Sequence, residues 1–410
     1  MLDRKFLLNN KEAYTKNCEK RNIANEYEKF LELNSTYTSL LNQQEEIRSQ
    51  QNKIKSFNQE AKILKEQFNE LSEKTSLAEK NLYEWLIHQP NILLDDVPFG
   101  KTEAENKSIF ESEDFLGNKN KDQKHHDDLI ENLILKEGAI KLSGSRFLVL
   151  RQALSKLKRT LSDFMIESNA QEGYQEYTVP YLVNDECLFG TGQLPKFAED
   201  AFCTMQKKWL ISTGEISLVN MFRDSVFGQN MNPQLCMTFT PCFRSEAGAA
   251  GKDTKGMIRL HQFHKVELVT LCKEEDANAM HEKQLKTACK ILEALKLQYQ
   301  ILLICSGDTG FTATKQYDIE VWMPGLKRYV EIASCSQCGT FQAIRANIRY
   351  KNEQGKTQHV HTLNGSSLPI ERLIAAIVEN YAQLDGSILI PEILQEKMKA
   401  KIITSDGQLQ

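Results

Sequence analysis

The residues most suited to chemistry lie on two strand-like runs joined by a loop of small residues. The first run, Leu235–Phe243, ends in Arg244-Ser245-Glu246, and the loop 247–256 leads into the second run, Met257–Leu271. A guanidinium forks onto phosphate and an exposed Phe stacks on a base. Alternation in the second run by itself favours a solvated polar face, whereas the glycines and the Arg-Ser-Glu corner favour a polyanion pocket. The residues that alternation places on this face are Arg259, His261, Phe263, Lys265 and Glu267.

A second group of possible ligands follows in Tyr329–Ser334, which we expect to end a strand. Its Glu331 carboxylate and Ser334 hydroxyl are hard oxygen ligands suited to Mg²⁺. The one CxxC, Cys335–Cys338, has no second pair at metal spacing, so we expect no structural zinc. The chain also lacks GxGxxG and GxxxxGK[ST] motifs, so neither a Rossmann nor a P-loop nucleotide site is indicated.

Towards the C-terminus the pattern predicts a strand, a turn and a helix in succession. His359–Leu363 fits the strand, Asn364–Ser367 the turn, and Pro369 the first helical turn. Arg372 lies near the helix start but off its apolar face. It is therefore either exposed to solvent or directed back across a sheet.

The elements that position these residues fall into two regions, the first of which is helical. Residues 1 to about 90 hold no glycine and one proline, Pro90, and apolar residues recur in heptads. We expect an antiparallel helical hairpin, a coiled-coil arm at about 30–90, with its tip near Ser56–Gln59. A single long helix is the alternative, and the pattern alone also fits an oligomerisation coiled coil. The heptad positions are Ile47, Ile54, Ala61 and Phe68, with Phe57, Leu64 and Leu71.

The second region follows a polar connector at 89–126. Helical periodicity at Leu148–Met165 precedes short alternating runs, which the helical stretches Glu274–Leu297 and Ile370–Gln383 interrupt. Strands in runs with interspersed helices predict an α+β domain whose antiparallel sheet is flanked by helices. We place the domains at 1–105 and 106–410.

Composition limits the function less than the motifs do. The 410 residues hold 51 Lys+Arg against 55 Asp+Glu, a net charge of −4 that gives no general argument for a nucleic-acid partner. The charged start Met1–Lys5 is unlike a secretory signal, and we expect no membrane association. Ten scattered cysteines suggest reduced thiols and a cytoplasmic protein.

The motifs together resemble a family. Phe243-Arg244-Ser245-Glu246, and Asn364-Gly365-Ser366 with Arg372, resemble motifs 2 and 3 of class II aminoacyl-tRNA synthetases. Several stretches, together with the arm, resemble the bacterial-type seryl-tRNA synthetases in particular, and the resemblance spans essentially the whole chain. These stretches are Thr191–Phe197, Gly251–Gly256, His261–Phe263, Glu331–Ser336 and Asp96–Lys101.

The resemblance implies a serine–tRNA ligase. L-serine reacts with ATP to give seryl-adenylate and pyrophosphate, and the seryl group passes to the 3′ end of tRNA(Ser) and of tRNA(Sec). Residues 1–105 would bind tRNA, and Gly173–Tyr181 resembles motif 1, the interface of a homodimer. A paralogue that loads a carrier protein is the alternative, and a non-catalytic scaffold is a third hypothesis.

Roles for individual residues also follow from the resemblance. Arg244, Glu331 and Arg372 would be catalytic, with Arg244 bridging the α-phosphate and the serine carboxylate. Phe263 and Arg372 would sandwich adenine, while Glu331 and Ser334 would hold Mg²⁺. The full ATP set is Arg244, Ser245, Glu246, Phe263, Glu331, Ile332, Ala333, Ser334 and Arg372. The serine set is Thr213, Gly214, Glu215, Arg244, Glu267, Asn364 and Ser366.

Some positions depart from the family pattern. Gly214 replaces an alanine, Glu371 places a carboxylate next to Arg372, and Thr309 and Thr312 replace apolar or small residues. The arm from Thr36 to His88 carries seven Lys/Arg against eight Asp/Glu, which predicts a weak grip on tRNA.

Overall fold

The chain forms two compact units, Met1–Ile92 and Leu93–Gln410. The computed structural model describes residues 1–53, 59–119, 121–247 and 256–410. The division precedes the boundary we expected at 105/106, because the intervening segment already bonds to the second unit. Leu94 N–H donates to the Thr314 carbonyl at 2.9 Å, and Ser306 N–H donates to the Pro98 carbonyl at 2.9 Å.

The first unit is helical, and its two long helices pair. The Gln51 amide donates to the Leu64 carbonyl at 3.0 Å, and Tyr37 Oη lies 3.4 Å from Glu79 Oε1, which makes the pairing antiparallel. The structure therefore confirms the hairpin and not the single long helix. The expected tip, Ser56–Gln59, falls largely on residues 54–58, which lie outside the described residues. The helices are α1 Arg4–Asn9, α2 Lys11–Lys20, α3 Tyr27–Gln51 and α4 Gln59–Ile87.

An aromatic cluster holds the base of the hairpin together. The Phe30 and Trp85 rings stack at 5.3 Å between centroids, and Tyr14 and Tyr27 pack beside them. Trp85 Nε1–H also donates to Glu26 at 2.8 Å, so the buried indole has a polar partner. No helix in the described part of the chain is both long and apolar enough to span a membrane.

The second unit is an α+β domain. Its helices are α5 His126–Leu129, α6 Lys136–Ser143, α7 Gln152–Gln171, α8 Asp185–Thr191, α9 Glu215–Asn220, α10 Ala277–Ala294, α11 Phe341–Arg345, α12 Ile370–Tyr381 and α13 Glu392–Met398. Its strands are β1 Lys107–Glu111, β2 Gln175–Glu176, β3 Leu182–Val183, β4 Trp209–Leu210, β5 Val226–Phe227, β6 Gln234–Phe243, β7 Gln262–Cys272, β8 Tyr299–Leu303, β9 Lys315–Met323, β10 Arg328–Gly339, β11 Arg349–Lys351, β12 Thr357–His359, β13 His361–Pro369, β14 Ile388–Leu389 and β15 Ile402–Ile403.

An eight-stranded sheet forms the centre of this unit, in the order β1-β8-β9-β10-β13-β7-β6-β2. Neighbours pair antiparallel except β2 with β6, which confirms the predicted antiparallel α+β architecture. Helices α7, α10 and α12 bury apolar faces in the main core, through residues such as Leu161, Ile291 and Ile374. The expected helices at 148–165, 274–297 and 370–383 are therefore present with shifted ends.

Two expectations about the C-terminal motif were wrong. Asn364–Ser367 is not a turn but part of β13, in which Gly365 pairs with Cys335 on one side and Leu268 on the other. A Cβ at Gly365 would lie 2.4 Å from the Gln284 amide nitrogen, so glycine serves close packing there instead of a turn. Pro369 precedes α12 as its N-cap residue.

The second of the two runs also begins later than we expected. Strand β7 starts at Gln262, because the backbone of Met257 and Ile258 bonds to side chains instead of a neighbouring strand. Similarly, Glu331 and Ser334 do not end a strand, since β10 continues to Gly339.

Candidate active site

Two connected cavities lie over the sheet. The smaller has a volume of about 160 Å³ and the larger about 750 Å³. The residues that line both form a continuous trough: Arg244, Glu246, Arg259, Lys265, Ser334 and Ser366. Four neighbouring strands, β6, β7, β10 and β13, and the segments that follow them bring these residues together.

A β-bulge puts Glu331 and Ser334 on the same face of β10. Residues three apart on a regular strand point to opposite faces. Here Glu331 pairs with Glu320 and Ala333 with Ile319, so Ile332 is an extra residue in the strand. The bulge changes the alternation, and Glu331 and Ser334 both line the smaller cavity.

Arg372 points back over the sheet, which decides between the two orientations left open by the sequence. Its guanidinium donates to the Glu331 carbonyl, and its Nη2 donates to the Ile258 carbonyl at 3.1 Å. The Glu331 carboxylate lies 3.8 Å from Arg372 Nη1. Burial lowers the pKa of Arg372, and the Glu331 charge opposes this effect.

The ring of Phe263 lies beneath a cation in the same cavity. The Arg244 guanidinium carbon is 5.2 Å from the Phe263 ring centroid, a cation–π contact, and Arg244 Nε lies 3.4 Å from the Ser212 carbonyl oxygen. Glu246 forms an ion pair with Arg259, with 2.7 Å between Oε2 and Nη1. This end of the trough therefore presents an aromatic face among guanidinium groups.

Two of the predicted residues do not line either cavity. Ser245 turns away, with its hydroxyl donating to the Glu199 carbonyl at 2.6 Å. Gly214 is buried behind the trough, where an added Cβ would lie 2.6 Å from Thr238 Cγ2. The other predicted ATP residues line the smaller cavity, and the other predicted serine residues line the larger.

A buried polar network forms one wall of the larger cavity. Glu267 is 2% exposed, accepts a hydrogen bond from Thr213 Oγ1 and forms an ion pair with Lys265. Lys265 Nζ also donates to Ser366 Oγ at 3.0 Å. A carboxylate this deeply buried is compatible with folding because these partners satisfy it.

A second carboxylate, Glu215, lies across the same cavity. Gln342 Nε2 and Asn364 Nδ2 donate to its Oε1 at 2.6 and 2.7 Å. Burial, and then the charge of Glu267, raise the pKa of Glu215 to about 7. A cationic ligand between the two carboxylates would relieve this repulsion. Asn364 thus faces Glu215.

The donors near Glu331 fit a hard divalent cation. The Glu331 side chain is 53% exposed, and the Ser334 hydroxyl lines the same cavity. Burial, and then the Glu331 charge, raise the pKa of Asp318 on the adjacent strand well above its usual value. Excess negative charge and oxygen ligands are what Mg²⁺ requires.

Glu371 does not face Arg372 as a free carboxylate. Its Oε1 lies 2.9 Å from Lys158 Nζ, and its Oε2 accepts the backbone N–H of His264 at 2.8 Å. Burial by itself would raise the pKa of Glu371, but the hydrogen bonds from His264 and the Lys158 charge hold it below 4.5. The departure at this position is therefore compensated within the protein.

Some site residues were not among the residues assigned from the sequence. Lys265 and Arg259 line both cavities. The alternation of the second run had placed them on its polar face, and this pattern was the sequence signal that pointed to them. Gln342, which binds Glu215, carries no sequence signal, because it reaches the site only through the packing of α11. Of the two other departures, Thr312 lines the larger cavity, while buried Thr309 bonds the Cys305 carbonyl at 2.8 Å.

Comparisons with known proteins agree with the motifs and the fold. The family model "tRNA synthetase class II core domain (G, H, P, S and T)" matches residues 203–381, and "Seryl-tRNA synthetase N-terminal domain" matches residues 1–93. A serine–tRNA ligase of Rhodospirillum centenum is 47% identical over 83% of this chain and 80% of its own length. That of Mycoplasma mobile is 40% identical over 96% of this chain and 98% of its own.

A solved structure shares both the fold and the extent of the chain. Seryl-tRNA synthetase from Pyrococcus horikoshii, complexed with ATP, superimposes with a TM-score of 0.90 at 30% identity. The match covers 98% of this chain and 99% of the other. The resemblance drawn from the motifs is thereby confirmed, and the chain belongs to the seryl-tRNA synthetase family.

Proposed function

We propose that the trough is where this serine–tRNA ligase makes seryl-adenylate, with ATP in the smaller cavity and L-serine in the larger. The observation that carries this proposal is the position of Arg244, which lines both cavities. A guanidinium at their junction can bind the α-phosphate and the serine carboxylate at once. The carboxylate then attacks phosphorus and pyrophosphate leaves, so the protein needs no nucleophile of its own.

The smaller cavity is suited to adenine and phosphates. Phe263 and Arg372 offer a ring and a guanidinium plane for stacking on the base. Arg259 and Lys265 add positive charge along the trough, while Glu246 holds Arg259 in place. Glu331 and Ser334 would hold Mg²⁺, which offsets phosphate charge when bound.

The larger cavity is suited to serine. Glu215, with Thr213 nearby, would receive the ammonium group, and Glu267 with Ser366 would receive the hydroxyl. A substrate without the hydroxyl would leave this buried wall unpaired, which disfavours alanine. The hydroxyl binds by exchanging with the hydrogen bonds that Thr213 and Lys265 now make to Glu267.

In the second step the seryl group passes from the adenylate to tRNA(Ser), and the helical hairpin is the proposed contact for that tRNA. Arg48, Lys53 and Lys62 are exposed on it and supply cations for phosphate.

The proposal includes serine transfer to tRNA(Sec), a cytoplasmic location, and a homodimer built on the motif 1 segment. Tyr181 and Leu182 in and beside that segment are 39% and 51% exposed, which leaves apolar area for a second copy.

The test of the proposal is serine-dependent exchange of pyrophosphate into ATP. The wild-type protein should catalyse it, and Arg244→Ala should abolish it. Arg328→Ala, at an exposed arginine on β10 that lines neither cavity, is the matched control and should retain activity. No exchange by the folded wild-type protein would refute the proposal.

Transfer to a carrier protein is the alternative to tRNA, and one variant separates the two. Residues 30–90 are dispensable for a carrier substrate but needed for the proposed grip on tRNA. Their deletion should leave pyrophosphate exchange intact and lower aminoacylation of tRNA(Ser). Full aminoacylation after the deletion would contradict the assigned role of the hairpin.

A further inference from the structure

The helix that carries Arg372 also carries a fully buried carboxylate, Glu379. The two residues are seven apart on α12, which places them about 10 Å from each other along the same face. Glu379 pairs with His126, whose side chain is also fully buried. His126 Nδ1 lies 2.7 Å from Glu379 Oε1, and its backbone N–H donates to the same oxygen at 3.1 Å.

The other nitrogen of His126 accepts a hydrogen bond. The Met257 N–H donates to His126 Nε2 at 3.1 Å, so Nε2 carries no proton and Nδ1 donates to Glu379. The ligand atoms of His125, His126 and Glu379 lie within 4.8 Å of one another, a spacing that also suits a metal ion. Both ring nitrogens of His126 are, however, already engaged within the protein, Nδ1 by Glu379 and Nε2 by the Met257 N–H.

Two glycines fit closely around this pair. A Cβ at Gly256, where φ is +78°, would lie 2.1 Å from His126 Nε2. A Cβ at Gly325 would lie 2.9 Å from Glu379 Cδ, and Gly325 N–H donates to Glu379 Oε2 at 2.8 Å. The pair is therefore fixed by packing as well as by hydrogen bonds.

Helix α12 thus holds two consecutive residues of the smaller cavity. Glu379 reaches the Met257 N–H through His126, and Arg372 binds the Ile258 carbonyl directly. Met257 and Ile258 both line the cavity assigned to ATP. We infer that His126 and Glu379 are positioning residues that fix the adenine side of this cavity, an inference that rests on the proposed function.

Substitutions that mimic one nitrogen at a time test the inference. His126→Asn places an amide near Nδ1 and keeps the bond to Glu379 but loses the acceptor for Met257. His126→Gln places an amide oxygen near Nε2 and keeps that acceptor. Tyr381→Phe is the matched control, because it removes a buried hydrogen bond from the same helix, to the Leu295 carbonyl, without touching the cavity.

The expected result is a change confined to ATP. In pyrophosphate exchange, His126→Asn should raise KM for ATP about tenfold, the effect of one unsatisfied buried N–H. Its kcat and its KM for serine should stay within about twofold, since only the adenine side moves. His126→Gln should restore most of the ATP affinity, and Tyr381→Phe should leave it unchanged.

Other outcomes would overturn the inference. The inference is overturned if His126→Asn has the same KM for ATP as Tyr381→Phe. It is also overturned if His126→Asn raises KM for serine as much as KM for ATP. One metal ion per chain in the purified protein, lost in His126→Asn, would overturn the assignment of Nε2. If His126→Asn does not fold, Gly256→Ala should raise KM for ATP selectively, because its Cβ displaces His126. An unchanged KM for ATP in Gly256→Ala would then overturn the inference.

The inference and the proposed function fail in different ways. If Arg372→Ala leaves KM for ATP unchanged, the smaller cavity is not the ATP site. If Arg372→Ala raises it and His126→Asn does not, only the positioning role is refuted.

Discussion

Serine affinity should depend on pH through Glu215. This carboxylate is buried opposite Glu267, and burial followed by the Glu267 charge raises its pKa to about 7. The ionised form binds the serine ammonium in the proposed arrangement, whereas the protonated form offers no charge. Because protonation increases as pH falls, affinity should decline below pH 7 and approach a plateau above it.

The expected size follows from the ionised fraction. With a pKa of about 7, Glu215 is about half ionised at pH 7, about one tenth at pH 6 and about nine tenths at pH 8. Apparent affinity scales with the competent fraction, so it should fall about fivefold from pH 7 to pH 6. It should rise only about twofold from pH 7 to pH 8.

Calorimetric titration of serine measures both the affinity and the linked proton. Repeating the titration in buffers of different ionisation enthalpy should show release of about 0.9 proton per serine at pH 6 and about 0.1 at pH 8. Glu215→Gln should bind serine more weakly and with no dependence on pH between 6 and 8. A wild-type affinity that is flat over this range, with no proton release, would refute the role of Glu215.

Four further predictions concern packing, charge and tRNA. Gly214→Ala should lower the free energy of unfolding by about 1–3 kcal/mol, because its Cβ would meet Thr238 Cγ2 at 2.6 Å, and adding Thr238→Ser should restore much of it in urea titrations. Lys158→Met should cost about 2 kcal/mol by leaving Glu371 without its cation. Because the pKa of Glu371 is lowered on folding, its stabilisation is complete above about pH 4.5 and is lost as the pH falls below that. Glu371→Gln should therefore make the free energy of unfolding fall less steeply as the pH drops below 4.5, and an unchanged dependence would refute this role. The arm carries seven Lys/Arg against eight Asp/Glu, so it should make few phosphate contacts. The logarithm of the binding constant for tRNA(Ser) should therefore fall with the logarithm of the salt concentration with a slope below about 4 in magnitude, and a steeper slope would refute the weak grip.

The sequence determined the parts of this protein that depend on local pattern. Heptads without glycine before residue 90 predict long helices, and pairing them buries Leu64 and half-buries the other described heptad positions, such as Ile47 and Phe68. Alternation placed Lys265 and Glu267 on the same face of one strand, where the structure shows them as an ion pair. The motif residues around Arg244 and Arg372 were recognisable because each motif is a continuous stretch of chain.

Only the tertiary structure decided how those stretches meet. The bulge at Ile332, which puts Glu331 and Ser334 on one face, comes from the pairing register of β9 and β10. Gln342 reaches Glu215 from 127 residues away, and His126 reaches Met257 from 131. Such contacts have no spacing signature, because they form where separate elements pack against one sheet. Residue type and local period are properties of the chain, whereas the distances between these groups are properties of the packed core.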